Sequence, residues 1–271
     1  MSPPDNRTLG IATVAAIRQV AETYILPRYQ KLAEGDVRSK THPGDLVTVA
    51  DVESEQAFEH MLPTLLPGSV VIGEEGVSAN SNVLDALADD APVWIVDPVD
   101  GTANFVNGSP VFAVIIALVR RGETVMGWIH DPVAHRTLWA EKGAGAWLEE
   151  GTSAPTPVKM PPPASDALAD MTAALHNRDH VKLKGKFARN IRLGSAAHDY
   201  WSLTDGRMHV ASFRRLKPWD HAAGALIHTE AGGYNRLLSG AAYTPAARDQ
   251  VGILCAPNQA IWLKIVAADA A

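Results

Sequence analysis

A single cysteine, Cys255, sits in the apolar run VGILCA. One thiol rules out a disulfide framework within the chain and fits a reducing compartment. In that setting it reads as a small buried core residue rather than as a nucleophile. Long hydrophobic runs are missing too: the longest, Val111 to Val119, falls far short of the roughly 20 apolar residues that span a bilayer. The opening MSPPDNRTLG lacks the basic start and apolar core of a secretory leader. The expectation is a soluble, cytoplasmic protein without a membrane partner. Basic excess is also absent. Lys and Arg number 24 against 30 Asp and Glu, a formal charge of −6, which argues against a nucleic-acid footprint. The histidines show no zinc spacing, since His221 and His228 stand seven apart rather than at the i, i+4 of a helical metal pair. Internal repeats and low-complexity tracts are lacking as well.

What is present is a chain of 271 residues, 46% hydrophobic, enough for one large domain or two modest ones. Ile11, Val14, Ile17, Ala21, Tyr24 and Ile25 recur at helical spacing and predict a helix that Pro27 ends or kinks. A second helix is expected over about 51–66, on Phe58, Met61, Leu62 and Leu65. Short β-type runs follow: SVVIG, VWIV, VFAVIIALV, ETVMGWI and RTLWAE, with brief connections that suggest antiparallel neighbours. The proline-rich stretch Thr152 to Ser165 marks either a boundary or an extended edge segment. Beyond it the runs MTAAL, IRLG, RMHVASF and VGILCA read as strands. Helices are expected over 195–203, at PWDHAAGALIHTEAGG and at the C-terminus, so the second half has α/β character. The expected division is an N-terminal α+β subdomain over 1–153 and a C-terminal α/β subdomain over 154–271.

Three acid-bearing stretches share a design. Glu74 and Glu75 follow an apolar strand and a glycine. Asp97 and Asp100, in WIVDPVDGTANF, follow another strand. Asp220 lies in the first turn of a helix that Pro218 opens and Gly232 and Gly233 close. Each has an ordinary explanation: Asp-Pro and Asp-Gly suit turns, and an acid in a first helical turn complements the macrodipole. Together they place several carboxylates in one volume if the strand ends are neighbours. Two like charges 4 Å apart repel by about 4 kcal/mol at an effective dielectric of 20, so such a cluster needs raised pKa values or a bound cation. An all-oxygen donor set favours a hard ion: Mg²⁺, Mn²⁺ or Ca²⁺. Gly101 lets backbone N–H groups approach an anion, and the Thr102 hydroxyl is placed to orient an attacking water. The chemistry these residues suit is phosphoryl transfer to water.

The blocks GDLVTVAD (Gly44 to Asp51), GEE (73–75), WIVDPVDGTANF and PWDHAAGALIHTEAGG resemble, in order and spacing, those of the inositol monophosphatase family. The resemblance covers most of the chain. It implies a layered αβαβα sandwich, Mg²⁺ as cofactor (two or three ions, with Mn²⁺ an alternative), Li⁺ as inhibitor, and a homodimer. It also implies hydrolysis of a small phosphomonoester by in-line attack of a water activated at the metal. By the same resemblance Glu74, Asp97 and the Val99 carbonyl are ligands of a first ion, and Asp97, Asp100 and Asp220 of a second. Glu75 helps hold a third through water. Thr102, Asp51 and Glu74 form the catalytic group, while Gly101, Thr102, Gly194, Ser195, Ala196 and Phe213 contact substrate. Phe213 stands where inositol-specific members carry an acid, and Arg214, Arg215 and Lys217 follow it. Histidinol phosphate and nucleotide or sugar bisphosphates therefore stay open as substrates beside inositol phosphate. A regulatory role through RNA or a partner protein is the remaining alternative.

Overall fold

The computed structural model describes residues 5–40, 42, 44–176, 180–247 and 250–270. Helix α1 (Asn6–Val20) continues through a wider π turn, Ala21–Ile25, and stops before Pro27. A small hairpin, β1 (Val37–Ser39) and β2 (Leu46–Thr48), leads into α2 (Val49–Leu65), whose Thr48 and Asp51 form a reciprocal capping box. Both helices lie where the apolar spacing predicts them.

A seven-stranded sheet follows in simple order: β3 (Val70–Gly73), β4 (Val93–Asp100), β5 (Ala113–Arg120), β6 (Glu123–Asp131), β7 (Arg136–Glu141), β8 (Gly145–Glu150) and β9 (Thr156–Val158). Two short helices interrupt it, α3 (Glu74–Ala79) after β3 and α4 (Thr102–Val106) after β4. Only β3 and β4 run parallel; the other neighbours are antiparallel. The proline-rich stretch contributes β9 as an extended edge strand on β8, a place where proline does little harm because an edge needs no second ladder.

The second sheet has the order β11-β10-β12-β14-β13. Its strands are β10 (Thr172–Ala174), β11 (Arg189–Asn190), β12 (Val210–Arg215), β13 (Tyr234–Leu237) and β14 (Val251–Ala256). Between them in the chain come α5 (Ala196–Thr204) and α6 (Pro218–Glu230), and α7 (Gln259–Ala270) ends the description. The expected strand at IRLG does not form: the β11 ladder ends at Asn190, with one further bond from the Ile191 N–H to the Ala173 carbonyl at 2.8 Å. The carbonyls of Leu193 and Gly194 instead accept from the Asn104 side chain at 2.9 and 3.3 Å, and Gly194 takes φ 74 to enter α5.

Period-two alternation sorts the side chains into three apolar layers. Trp94 and Val96 of β4 face α1 and α2 with Phe58 and Leu62, while Val93 and Ile95 face α6. Ala211, Ile253 and Cys255 close that central layer from the second sheet, and Val210, Leu254 and Ala256 pack on Ile261, Trp262 and Ile265 of α7. The result is an αβαβα sandwich with α5 and α6 in the middle. Gly127 of β6 has no room for a side chain: a Cβ there would fall 2.7 Å from the Ala223 Cα, so α6 rests directly on the sheet backbone. Among the described residues no helix is long and apolar enough to cross a membrane.

Candidate functional site

The sheets aim their parallel strand ends at one cleft. In the first, β3 ends at Gly73, directly before Glu74, and β4 runs through Asp97 to Asp100, where its pairing with β5 shifts register. That shift turns successive residues out of the ladder. Asp220, in the first turn of α6, completes the group: Asp97, Asp100 and Asp220 each offer a carboxylate oxygen within 4.8 Å of the others. Burial, then the charges of Glu74, Asp100 and Asp220, drive Asp97 well above the usual carboxylate range. Burial and the charges of Asp100 and Glu74 do the same to Asp220. Burial also raises Asp100, against the hydrogen bonds it accepts.

Gly101, at φ 89, makes the left-handed corner from which α4 starts. The corner sets Thr102 with its hydroxyl 3.0 Å from the Val99 carbonyl and 3.4 Å from Asp51 Oδ1. The other Asp51 oxygen accepts from the Thr48 backbone N–H at 2.8 Å and from the Thr48 hydroxyl. Burial pushes Asp51 up to about 7, with the Thr48 bonds pulling the other way. A hydroxyl bridged to a carboxylate that titrates near neutrality can pass a proton.

Glu74 and Glu75 open α3. The Lys40 ammonium lies 3.0 Å from Glu74 Oε1 and also pairs with Glu75, while Lys217 reaches Glu74 at 3.5 Å. Burial works to lower Lys40, but the charges of Glu74 and Glu75 outweigh it and hold the amine above its ordinary value. Glu74 is thus engaged by lysines and stands just outside the tight three-carboxylate set. Below it Glu55, on α2, accepts from the backbone N–H groups of Glu75 and Gly76 at 2.9 and 2.8 Å.

The loop before α5 reaches the acids from the opposite side. The Ser195 hydroxyl donates to Asp100 Oδ2 at 2.5 Å, and the N–H groups of Ala196 and Ala197 donate to Asp100 at 3.2 and 2.8 Å. In this arrangement Ser195 and Ala196 orient a carboxylate. Ser195 Oγ also meets His198 Nδ1 at 3.1 Å, and His198 Nε2 lies 3.8 Å from Asp131 at the end of β6. A line of polar groups therefore runs from Asp131 through His198 and Ser195 to Asp100.

A cavity of about 620 Å³ opens beside the acids and shares Asp100, Gly194 and Asp220 with their own cleft of about 200 Å³. Phe213 walls it, stacked on Tyr200 at 5.0 Å and tilted against His221 at 4.7 Å. Burial lowers His221 to about 4, so the ring is neutral; its Nε2–H donates to the Arg215 carbonyl at 2.9 Å.

The donor set fits a hard divalent cation. Asp97, Asp100 and Asp220 offer only oxygens and crowd within a few ångströms; burial raises all three, and neighbouring carboxylates raise Asp97 and Asp220 further, a repulsion that a cation would relieve. Lys40, Glu55, His198 and Asp131 escape the sequence reading. Glu55 left a trace, because 51, 55, 58 and 62 fall on one helical stripe, where two acids line up with Phe58 and Leu62. Lys40 left none.

Sequence and structure comparisons match this architecture. The model of the inositol monophosphatase family matches residues 5–269. The inositol-1-monophosphatase of Bacillus subtilis is 32% identical over 212 residues, covering 77% of this chain and 78% of that protein. A Vibrio cholerae protein named Nus factor SuhB is 36% identical over 193 residues, covering 69% and 70%. Among solved structures, a Thermotoga maritima IMPase superposes with a TM-score of 0.78 at 25% identity, covering 95% of each chain.

Proposed function

The chain belongs to the inositol monophosphatase family, and on that premise we propose that it hydrolyses a small phosphomonoester with Mg²⁺ as cofactor. The observation that carries this reading is the meeting of Asp97, Asp100 and Asp220 within 4.8 Å beside a Thr102 hydroxyl that faces Asp51. When bound, the cation neutralises the carboxylates and stabilises charge on the phosphoryl oxygens in an in-line displacement. Asp97, Asp100 and Asp220 would hold it, with Glu74, Glu75 and the Val99 carbonyl as the further oxygen donors at hand. Thr102 orients the attacking water and relays its proton to Asp51. Gly101, without a side chain at the start of α4, would leave backbone N–H groups open to a phosphate there.

The relative named as a Nus factor supplies a second reading, a binding role without turnover. The Thr102 and Asp51 pairing favours hydrolysis, because a binding role has no use for a proton relay. Phosphate release from a panel of sugar, polyol, amino-alcohol and nucleotide phosphates, with millimolar Mg²⁺ and with EDTA, separates the two. We expect release that EDTA abolishes and that Asp97→Asn lowers by a hundredfold or more. No release from any compound would end the hydrolytic reading.

A further inference from the structure

A serine hydroxyl, an imidazole and a carboxylate stand in line at the wall of the larger cavity. Ser212 Oγ lies 2.8 Å from His180 Nε2, and His180 Nδ1 lies 2.7 Å from Asp269 Oδ2. As a carboxylate Asp269 only accepts, so Nδ1–H donates to it. In the neutral ring Nε2 is then an acceptor, and the Ser212 hydroxyl donates to it. Those are the distances and roles of a nucleophile, its base and the group that orients the base.

Each member is held in place by its own element. Ser212 sits in mid-strand on β12, opposite Leu254 of β14. The His180 N–H donates to the His176 carbonyl, and the His180 carbonyl accepts from Leu183, both at 3.1 Å. Lys182, in the 3₁₀ turn Val181–Leu183, donates to the Ala270 carbonyl at 2.9 Å. That bond ties the turn after His180 to the end of α7, beside Asp269. The imidazole itself is only 3% exposed.

Ser212 also has access to a ligand. Val210 packs in the α7 layer and Ala211 in the central one, so alternation turns Ser212 toward α7 and Phe213 toward the centre. Both line the cavity of about 620 Å³. It reaches both because the ladder with β10 ends at Ala174, opposite Ala211, and the cavity wraps the β12 edge beyond. His209, just before β12, donates its N–H to the Thr172 carbonyl at 2.9 Å. Odd-numbered N–H groups of this strand therefore point toward that edge, Phe213 among them. The N–H of the residue after a nucleophile is a recurrent oxyanion donor.

We propose that Ser212, His180 and Asp269 form a second hydrolytic centre that cleaves short, uncharged carboxylic esters. It acts apart from the carboxylate cluster and does not depend on the phosphatase reading. Ser212 Oγ bonds to the carbonyl carbon while its proton passes to His180 Nε2. The ester C–O bond then breaks, and the leaving alkoxide takes that proton, giving an alcohol and an acyl-serine. Water repeats the sequence through His180, releasing the carboxylic acid and restoring the serine. Asp269 is a positioning residue. The Phe213 ring, stacked on Tyr200, gives the acyl chain an apolar wall.

Two measurements on the full chain in EDTA test it. A fluorophosphonate probe, whose P–F bond a reactive serine breaks, should label the wild type, and peptide mass spectrometry should place the adduct on Ser212. p-Nitrophenyl butyrate should be hydrolysed, with kcat/KM about a hundredfold or more lower in Ser212→Ala and in His180→Gln. Asp269→Asn should lower kcat about tenfold or more with KM nearly unchanged, and Asp269→Glu should regain part of it. A tie that only fastens α7 to β12 would not separate kcat from KM in this way. The adduct is read on the wild type, so it decides even where a variant fails to fold. No adduct at Ser212, no turnover of the ester, or turnover that Ser212→Ala retains, overturns the inference.

Discussion

The carboxyl carbon of Glu55 lies where a side chain on Gly73 would have to be: a Cβ built there falls 1.9 Å from it. The glycine before the acid pair thus leaves room for a third acid beneath them, and that third acid ties down the N–H groups of Glu75 and Gly76. Gly73→Ala should expel Glu55, leave two helix N–H groups without their acceptor and displace Glu74. We expect a loss of about 2–3 kcal/mol in stability and at least a tenfold fall in kcat/KM. Thermal unfolding beside phosphate release checks both. Wild-type unfolding in the alanine variant would show that Glu55 moves aside without cost.

Thr102 and Asp51 should behave as a unit. Thr102→Ala and Asp51→Asn each remove one end of the proposed proton relay, so each should lower kcat by about 10²–10⁴ while the circular dichroism spectrum is kept. Because the groups act in series, the double variant should be scarcely slower than the slower single one. Fully multiplicative losses would mean that the two residues serve separate steps.

The polar line behind Asp100 predicts an effect on metal affinity. Ser195→Ala removes the donor to Asp100 Oδ2, and groups that orient a metal ligand are typically worth 10–100-fold in affinity. Calorimetric titration with Mg²⁺ should show a loss in that range. His198→Leu should lose less, and nothing further when Ser195 is already alanine, since His198 reaches Asp100 only through the serine. Additive losses would break the line at Ser195.

Stability should depend on pH and on metal in a signed way. Asp51 and Glu55 are raised to about 7 by burial, and Asp97 and Asp220 are raised well above their ordinary values. A raised carboxyl binds its proton more tightly in the folded state, so its contribution is present at low pH and lost as pH rises through the folded value. His130, His221 and His228, held near 4 by burial, act oppositely, adding stability as pH rises from about 4 to 6.5. At pH 6.5 the unfolded histidines are already half titrated and their contribution fades by about pH 7.5, so the raised acids set the sign of the slope there. The unfolding temperature of EDTA-treated protein should therefore fall between pH 6.5 and 8, and the rise produced by Mg²⁺ should grow over the same range. A flat or rising profile without metal would contradict the crowding of the acids.

Much of the molecule was readable before its structure. The stripes of α1 and α2, the alternation of the first sheet and the Pro218 start of α6 are local signals, and the folded chain follows them. IRLG failed as a strand because Asn104, some 90 residues away, takes its carbonyls; no local pattern carries that competition. The meeting of Asp97, Asp100 and Asp220 was legible because acids at a strand end and in a first helical turn are conspicuous. Lys40 was not, since a lysine in a polar loop looks the same whether it faces water or two glutamates. His198 was hidden because its partners, Ser195 and Asp131, come from different elements.

Gly127 carries a consequence for how such a site changes over time. With only backbone between β6 and Ala223, the helix bearing Asp220 takes its position from the sheet's main chain, which drifts little when core side chains are exchanged. The far side of the cavity is instead shaped by side chains of β12, Phe213 among them, packed on the rings of Tyr200 and His221. The molecule therefore joins a half whose position is set by main chain to one whose shape is set by side chains, which can be exchanged without moving the helix that bears Asp220.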